Sequence, residues 1–204
     1  MQNLIDIELF PILIGAIPNF LGDKQIYDLT KYAKNIPMSK HEALIGDATS
    51  SHTAVSNDLE NIIKEVDSCK DLIDKLQEAV DVYTFRYGFY RTKISNSWIN
   101  IQKKNSILDY HMHPGSVISG ALYVKTDDDS SVLNFLNPNP FMKFTAKDNQ
   151  KLTKYMFERA YVKPQDGQLV LFPSWLSHGS DIKPNMSEER IIISFNTIYV
   201  RGYE

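Results

Sequence analysis

The chain contains a single cysteine, Cys69, so no disulfide can form within it. Cys69 falls inside an apolar helical stripe, which reads as a buried, inert thiol and not as a nucleophile. No apolar run reaches the ~20 residues that a membrane-crossing helix needs. The first residues, Met1-Gln-Asn-Leu-Ile-Asp-Ile-Glu, carry no basic group ahead of their apolar ones and do not read as a secretory signal. A cytoplasmic protein with no membrane partner is therefore expected. Strong charge of one sign is lacking too: 22 Lys and Arg stand against 25 Asp and Glu, a formal net charge of -3. The basic residues are dispersed, which disfavours nucleic acid as a partner, because phosphate binding leaves a basic stripe. The longest charge run, Asp127-Asp128-Asp129, reads as a solvated turn. There is no internal repeat and no low-complexity tract.

What is present is ordinary globular material. The 204 residues, 43% hydrophobic and 23% charged, suit one domain with a well-buried core. Two grammars divide the chain into a supporting part, 1–88, and a core, 89–200. In the first, Ile5–Ile14 reads as an edge or opening strand punctuated by Pro11. A short helix follows, capped by Asp23, carrying Ile26, Leu29 and Ala33, and closed by Pro37. Residues 38–54 lack a period and read as a loop. Leu59, Ile62, Ile63, Val66, Cys69, Ile73, Leu76 and Val80 then recur at three- and four-residue steps, which predicts one long helix capped by Asp58 or Ser56 and ending before Gly88.

From Phe89 onward β-branched and aromatic runs alternate with turn residues. The segments are 90–102, 117–125, 132–136, 155–162, 168–172 and 191–200, with a long loop over 137–151. Helices first and strands second give α+β, mainly β. The expected architecture is a double-stranded β-helix, the jelly-roll or cupin-like barrel, with flanking helices packed on one sheet.

His111-Met112-His113 carries the first chemistry. Residues two apart on a strand share a face, so both imidazoles can aim at one point, and Pro114 biases His113 toward extended backbone. Asp109 has the same parity. His178 follows 65 residues after His113, where a jelly roll can bring it opposite. Three imidazoles suit iron, zinc, copper or nickel and leave positions open for substrate. The bland reading is a polar strand face with a satisfied core histidine. His41 and His52 have no partner spacing and read as surface residues.

Arg190 opens the apolar strand Ile191–Asn196. A charge there is costly unless paired, either with a bound carboxylate or with Glu188 or Glu189 at the surface. Asn100, between Ile99 and Ile101, should face opposite to them, toward the barrel interior or toward solvent. Trp98, Phe172 and Trp175 are candidates for pocket walls and equally for aromatic core packing.

In order along the chain, Ser97-Trp98-Ile99-Asn100, His111-Met112-His113-Pro114-Gly115-Ser116, Ser119-Gly120-Ala121-Leu122-Tyr123-Val124, the run Gly167–His178 and Glu189–Asn196 resemble a family of 2-oxoglutarate- and iron(II)-dependent oxygenases from bacteria and phages. The resemblance spans roughly residues 90–200. It implies a dioxygenase of hydroxylase type with Fe(II) and 2-oxoglutarate as cofactors and His111 and His178 as iron ligands. The wider superfamily has a carboxylate where His113 stands, so the third ligand is His113 or, from the other side, Asp109; the matching position favours His113. Arg190 matches the basic residue that pairs with the distal carboxylate of 2-oxoglutarate. The arginine-x-serine pattern is broken by Ile192, and Ser194 is a substitute on the same parity. Asn100 falls where related members place a cosubstrate contact, and Tyr123, on the strand after the histidine pair, is a further candidate. Two rivals remain: a cupin-like three-histidine metalloenzyme that does not use 2-oxoglutarate, and a non-catalytic jelly-roll binding module. The substrate, a small molecule or a protein, is not encoded in any motif, and a homodimer is the default assembly.

Overall fold

The computed structural model describes residues 10–53, 56–139, 157–180 and 183–200. Its strands are β1 (Gly15–Ile17), β2 (Leu44–Ile45), β3 (Ala48–Ser50), β4 (Thr92–Gln102), β5 (Ile107–Leu108), β6 (Ile118–Lys125), β7 (Leu133–Leu136), β8 (Arg159–Val162), β9 (Leu169–Pro173), β10 (His178–Gly179) and β11 (Arg190–Tyr199). The helices are α1 (Asp23–Ala33), α2 (Asp58–Glu65) and α3 (Leu72–Tyr87). A six-stranded sheet runs β1-β9-β6-β11-β4-β3, a three-stranded sheet runs β10-β7-β8, and β2 pairs with β5. Every pairing between these strands is antiparallel.

Side-chain alternation sorts the large sheet into two faces. Ile99, Ile101, Ile118, Leu122, Val124, Ile191, Ile193 and Phe195 join Leu29, Leu59, Ile62, Leu72, Leu76 and Val80 of the helices in one core. Their opposite-parity neighbours Ala121, Tyr123, Val170, Phe172 and Ile192 face Leu133 and Phe135 of the small sheet in a second core. This is the expected double-stranded β-helix with helices packed on one sheet.

Five expectations need correction. The opening strand is Gly15–Ile17; residues 10–14 are not strand, and 1–9 lie outside the described residues. The N-cap of α1 is Gly22, with Asp23 inside the first turn, and the helix ends at Ala33, ahead of Pro37. The single long helix is broken: Val66, at φ -114 and ψ 97, terminates α2, a 3-10 turn Asp67–Cys69 follows, and α3 begins at Leu72. Neither Asp58 nor Ser56 stands at the N-cap of α2; Asn57 does, and its side chain accepts from the Ser97 hydroxyl at 3.1 Å instead of capping the helix. Val66 and Cys69 stay buried through the break, so the apolar period continues while the backbone does not. Gly88 closes α3 in the left-handed region (φ 84), where a glycine costs least. Finally, 38–54 holds β2 and β3, which lay this segment along β5 and β4. Most of the expected loop over 137–151 lies outside the described residues.

At one point the sheet needs glycine for space. A Cβ on Gly120 would stand 2.2 Å from Cζ of Phe195, its cross-strand partner in β11. Gly120→Ala is expected to cost about 1–3 kcal/mol by overpacking, lowering the melting temperature by roughly 3–10 °C. An unchanged melting curve would show that Phe195 can swing aside freely. Among the described residues, no helix is long and apolar enough to cross a membrane.

Candidate active site

His111 and His178 face each other across an antiparallel bridge. The His111 N–H donates to the His178 carbonyl at 3.0 Å and the His178 N–H donates back at 3.1 Å. His113 is fixed through its N–H, which donates to the Ser174 carbonyl at 3.0 Å. Behind Ser174, the Ser119 hydroxyl bonds Asn196 Oδ1 at 2.7 Å and meets the Ser174 hydroxyl at 2.8 Å, tying β6, β11 and the turn after β9 together. The ring centroids lie 5.0 Å (His111–His113), 4.4 Å (His111–His178) and 5.2 Å (His113–His178) apart. One ligand nitrogen from each of the three lies within 4.8 Å of the others.

The tautomers are set locally. His111 Nδ1 lies 2.8 Å from the Asp109 carbonyl and His178 Nδ1 lies 2.9 Å from the Leu176 carbonyl. A carbonyl only accepts, so each Nδ1 carries the proton and each Nε2 offers its lone pair, as a metal-binding histidine requires. Burial, reinforced by the neighbouring imidazoles, lowers His178 to about 3 and His113 to about 4, and lowers His111 as well. The neutral form, which binds metal, is thereby favoured. The donor set fits a borderline divalent ion such as iron(II). The alternative ligand does not fit: the Asp109 side chain is exposed and accepts the N–H of Tyr110 at 2.8 Å.

A pH effect follows for the metal-free protein. Unfolded histidines titrate near 6.5, whereas folded His113 and His178 stay neutral down to about 4 and 3. Between these values the unfolded chain binds more protons, so stability is full above pH 6.5 and falls on acidification. From pH 7 to pH 5 each of the two should cost about 2 kcal/mol. Urea unfolding at the two pH values measures this; equal stabilities would show that the imidazoles are protonated in the fold.

The three histidines line a cavity of about 290 Å³ together with Asn100, Gln102, Tyr123, Arg190, Ile192 and Ser194. Arg190 is 2% exposed. Its Nη1 donates to Gln102 Oε1 at 2.6 Å and to Ser131 Oγ at 3.0 Å, and its guanidinium carbon sits 5.2 Å from the centre of the Tyr123 ring. The surface ion pair is not realised. Glu189 is taken by Lys34 and Lys125, and Glu188 by Lys104. Asn100 turns into the cavity while Ile99 and Ile101 turn to the helices, and Asn100 Nδ2 reaches Ser194 Oγ at 3.4 Å. Ile192, in the broken serine position, also faces the cavity.

Trp98 and Phe172 line the cavity, whereas Trp175 is 46% exposed and does not. Two residues read as surface belong here: His41 and His52 are part of the wall, edge-on to each other at 4.8 Å, with His52 edge-on to Trp98 at 4.9 Å. No periodicity flags them, because pairing of β3 with β4 places them. Gln102 was also missed, although its even spacing from Asn100 was a usable signal.

Residues 96–196 match the family described as "Putative 2OG-Fe(II) oxygenase". No curated protein sequence gives a significant match. Among solved structures, HygX from Streptomyces hygroscopicus with nickel and 2-oxoglutarate bound aligns with TM-score 0.64 at 11% identity, over 95% of this chain and 85% of that one. A Pseudomonas putida prolyl-4-hydroxylase aligns with TM-score 0.62 at 12% identity, over 93% of each chain. The viral collagen prolyl hydroxylase of Paramecium Bursaria Chlorella virus-1, in its 2-oxoglutarate complex, aligns with TM-score 0.55 at 16% identity, over 92% of this chain and 96% of that one. At these identities the structures establish the double-stranded β-helix, and the family match establishes the chemistry it serves. Residues 96–196, the core that builds the cavity, belong to the 2OG-Fe(II) oxygenase family, whose cofactors are iron(II) and 2-oxoglutarate.

Proposed function

We propose that His111, His113 and His178 hold the iron(II) through Nε2, and that Arg190 receives the distal carboxylate of 2-oxoglutarate in the same cavity. One observation carries this reading: a cluster of three neutral imidazoles shares its cavity with a fully buried arginine that has no acidic partner among the described residues. The pair, when bound, supplies the oxidising power to convert a substrate C–H to C–OH with dioxygen, releasing succinate and carbon dioxide. The chain supplies placement. Arg190 offers charge in a dry pocket, where a guanidinium–carboxylate bond is strongest. Tyr123, Asn100 and Ser194 line the cosubstrate's side of the cavity, and Phe172 and Ile192 keep water out. Three neutral ligands leave the metal one positive charge richer than two histidines and a carboxylate would.

The substrate meets the wall of His41, Glu42, His52 and Trp98 at the cavity mouth. A small molecule or a protein side chain both suit it. The cytoplasmic, homodimeric state expected from the sequence completes the proposal.

The test is anaerobic titration of the metal-free protein with iron(II) and then 2-oxoglutarate. A weak visible charge-transfer band that needs both would support the assignment. Iron binding without the band would favour the cupin-like reading, and absence of iron binding would favour a non-catalytic module.

A further inference from the structure

We infer that Gln102 is a second cosubstrate-binding residue, donating an amide N–H to the distal carboxylate of 2-oxoglutarate beside Arg190. This rests on the proposed role of Arg190. Gln102 and Arg190 are directly opposed in the β4–β11 ladder, and both side chains enter the cavity. Gln102 is 1% exposed. Its amide orientation is fixed by chemistry: Oε1 lies 2.6 Å from Arg190 Nη1, and a guanidinium has only donors. The flipped amide would set donor against donor, so Oε1 faces Arg190 and Nε2 is left free to donate.

Among the described residues, two buried donors then lack a hydrogen-bond partner, Gln102 Nε2 and Arg190 Nε. A buried donor without an acceptor is costly, and two on directly opposed residues in one cavity call for one acceptor group. A carboxylate has two oxygens and no proton, one oxygen for each donor. The guanidinium charge favours an anion over a neutral group. Ser131 adds a third constraint, since its hydroxyl oxygen accepts from the same Nη1 at 3.0 Å and holds the fork from the side. Gln102 is thus a specificity-determining residue: the site reads a group that accepts twice.

The test uses non-reacting probes on the nickel(II)-loaded protein, with binding measured by calorimetry. The probes are N-oxalylglycine, the amide isostere of 2-oxoglutarate, and its terminal carboxamide, which offers one acceptor and one donor. Wild type should prefer the acid by at least about tenfold. Gln102→Leu should weaken the acid by about tenfold and gain nothing for the amide. Gln102→Glu replaces the donor by an acceptor. It should therefore reverse the preference toward the carboxamide, an outcome that mere support of Arg190 would not produce. The acid-to-amide ratio within one variant does not depend on how much of it folds. Acid affinity in Gln102→Leu within twofold of wild type, or an unshifted ratio in Gln102→Glu, would overturn the inference while leaving Arg190 in place. Failure of wild type to bind N-oxalylglycine at all would overturn the reading beneath it as well.

Discussion

Replacing Arg190 by methionine is expected to abolish 2-oxoglutarate binding and to leave the metal-free protein at least as stable as before. The two effects have opposite signs for one reason. Arg190 is a 2%-exposed charge whose pKa burial pushes down, and no carboxylate offsets it in the described structure. Isolated buried charges cost several kcal/mol, and apolar replacements of similar volume are often neutral or stabilising by about 1–4 kcal/mol. The variant loses the bonds to Gln102 and Ser131, worth about 1 kcal/mol each, so the net change should lie near zero or be stabilising. Loss of the charged partner should weaken 2-oxoglutarate by at least about 100-fold. Nickel(II) or iron(II) affinity should be unchanged, because Arg190 bonds none of the three histidines. Melting curves without ligand and titrations with it separate the two. A large drop in melting temperature would mean that Arg190 is structural.

His178→Ala should have the largest effect on the metal. Removing even a partner that orients a metal-bound histidine weakens metal binding by about 10–100-fold, so loss of a ligand should exceed 100-fold. The backbone bridge between residues 111 and 178 does not depend on the side chain, so the fold should survive. A metal that binds only the folded protein raises its melting temperature; wild type should show this with nickel(II) and the variant should not. His178 is also one of the two strongly lowered imidazoles, so the acid sensitivity between pH 7 and pH 5 should fall by about half in the variant. Full retention of the metal-induced shift would move the site elsewhere.

The core of this site could be read in the chain because strands impose parity. Asn100 and Ser194 turn inward by alternation, because isoleucines or their equivalents occupy the other face; His111 and His113 converge without lying on a strand, His111 on a single bridge to His178 and His113 on the Ser174 carbonyl. Arg190 could be read from its cost, a charge at the head of Ile191-Ile192-Ile193. The helix break at Val66 could not, since hydrophobic periodicity records which side chains are buried and not whether the backbone hydrogen bonds continue. His41 and His52 escaped for a different reason. Their position comes from pairing with residues some fifty places later in the chain, and local composition carries no trace of that. Ser131 escaped similarly, its role emerging only where the small sheet faces β11.

The segment that carries His41 and His52 also has a second task. Strand β4 has β11 on one side only. On its other side Ala48, Thr49 and Ser50 pair with Gln102, Ile101 and Asn100. Ser51 then bonds Ile99 through both backbone and hydroxyl, the Ser97 N–H donates to the Ser56 carbonyl, and the Leu59 N–H donates to the Ser97 hydroxyl. The segment thereby covers a rim of backbone that would otherwise recruit other chains by strand addition. The proposed substrate wall and the cover over β4 are thus built from one short stretch of chain. A variant that relaxes this wall to admit a larger substrate would uncover the rim of β4, and solubility, more than catalysis, would limit how far the mouth of this enzyme can be redesigned.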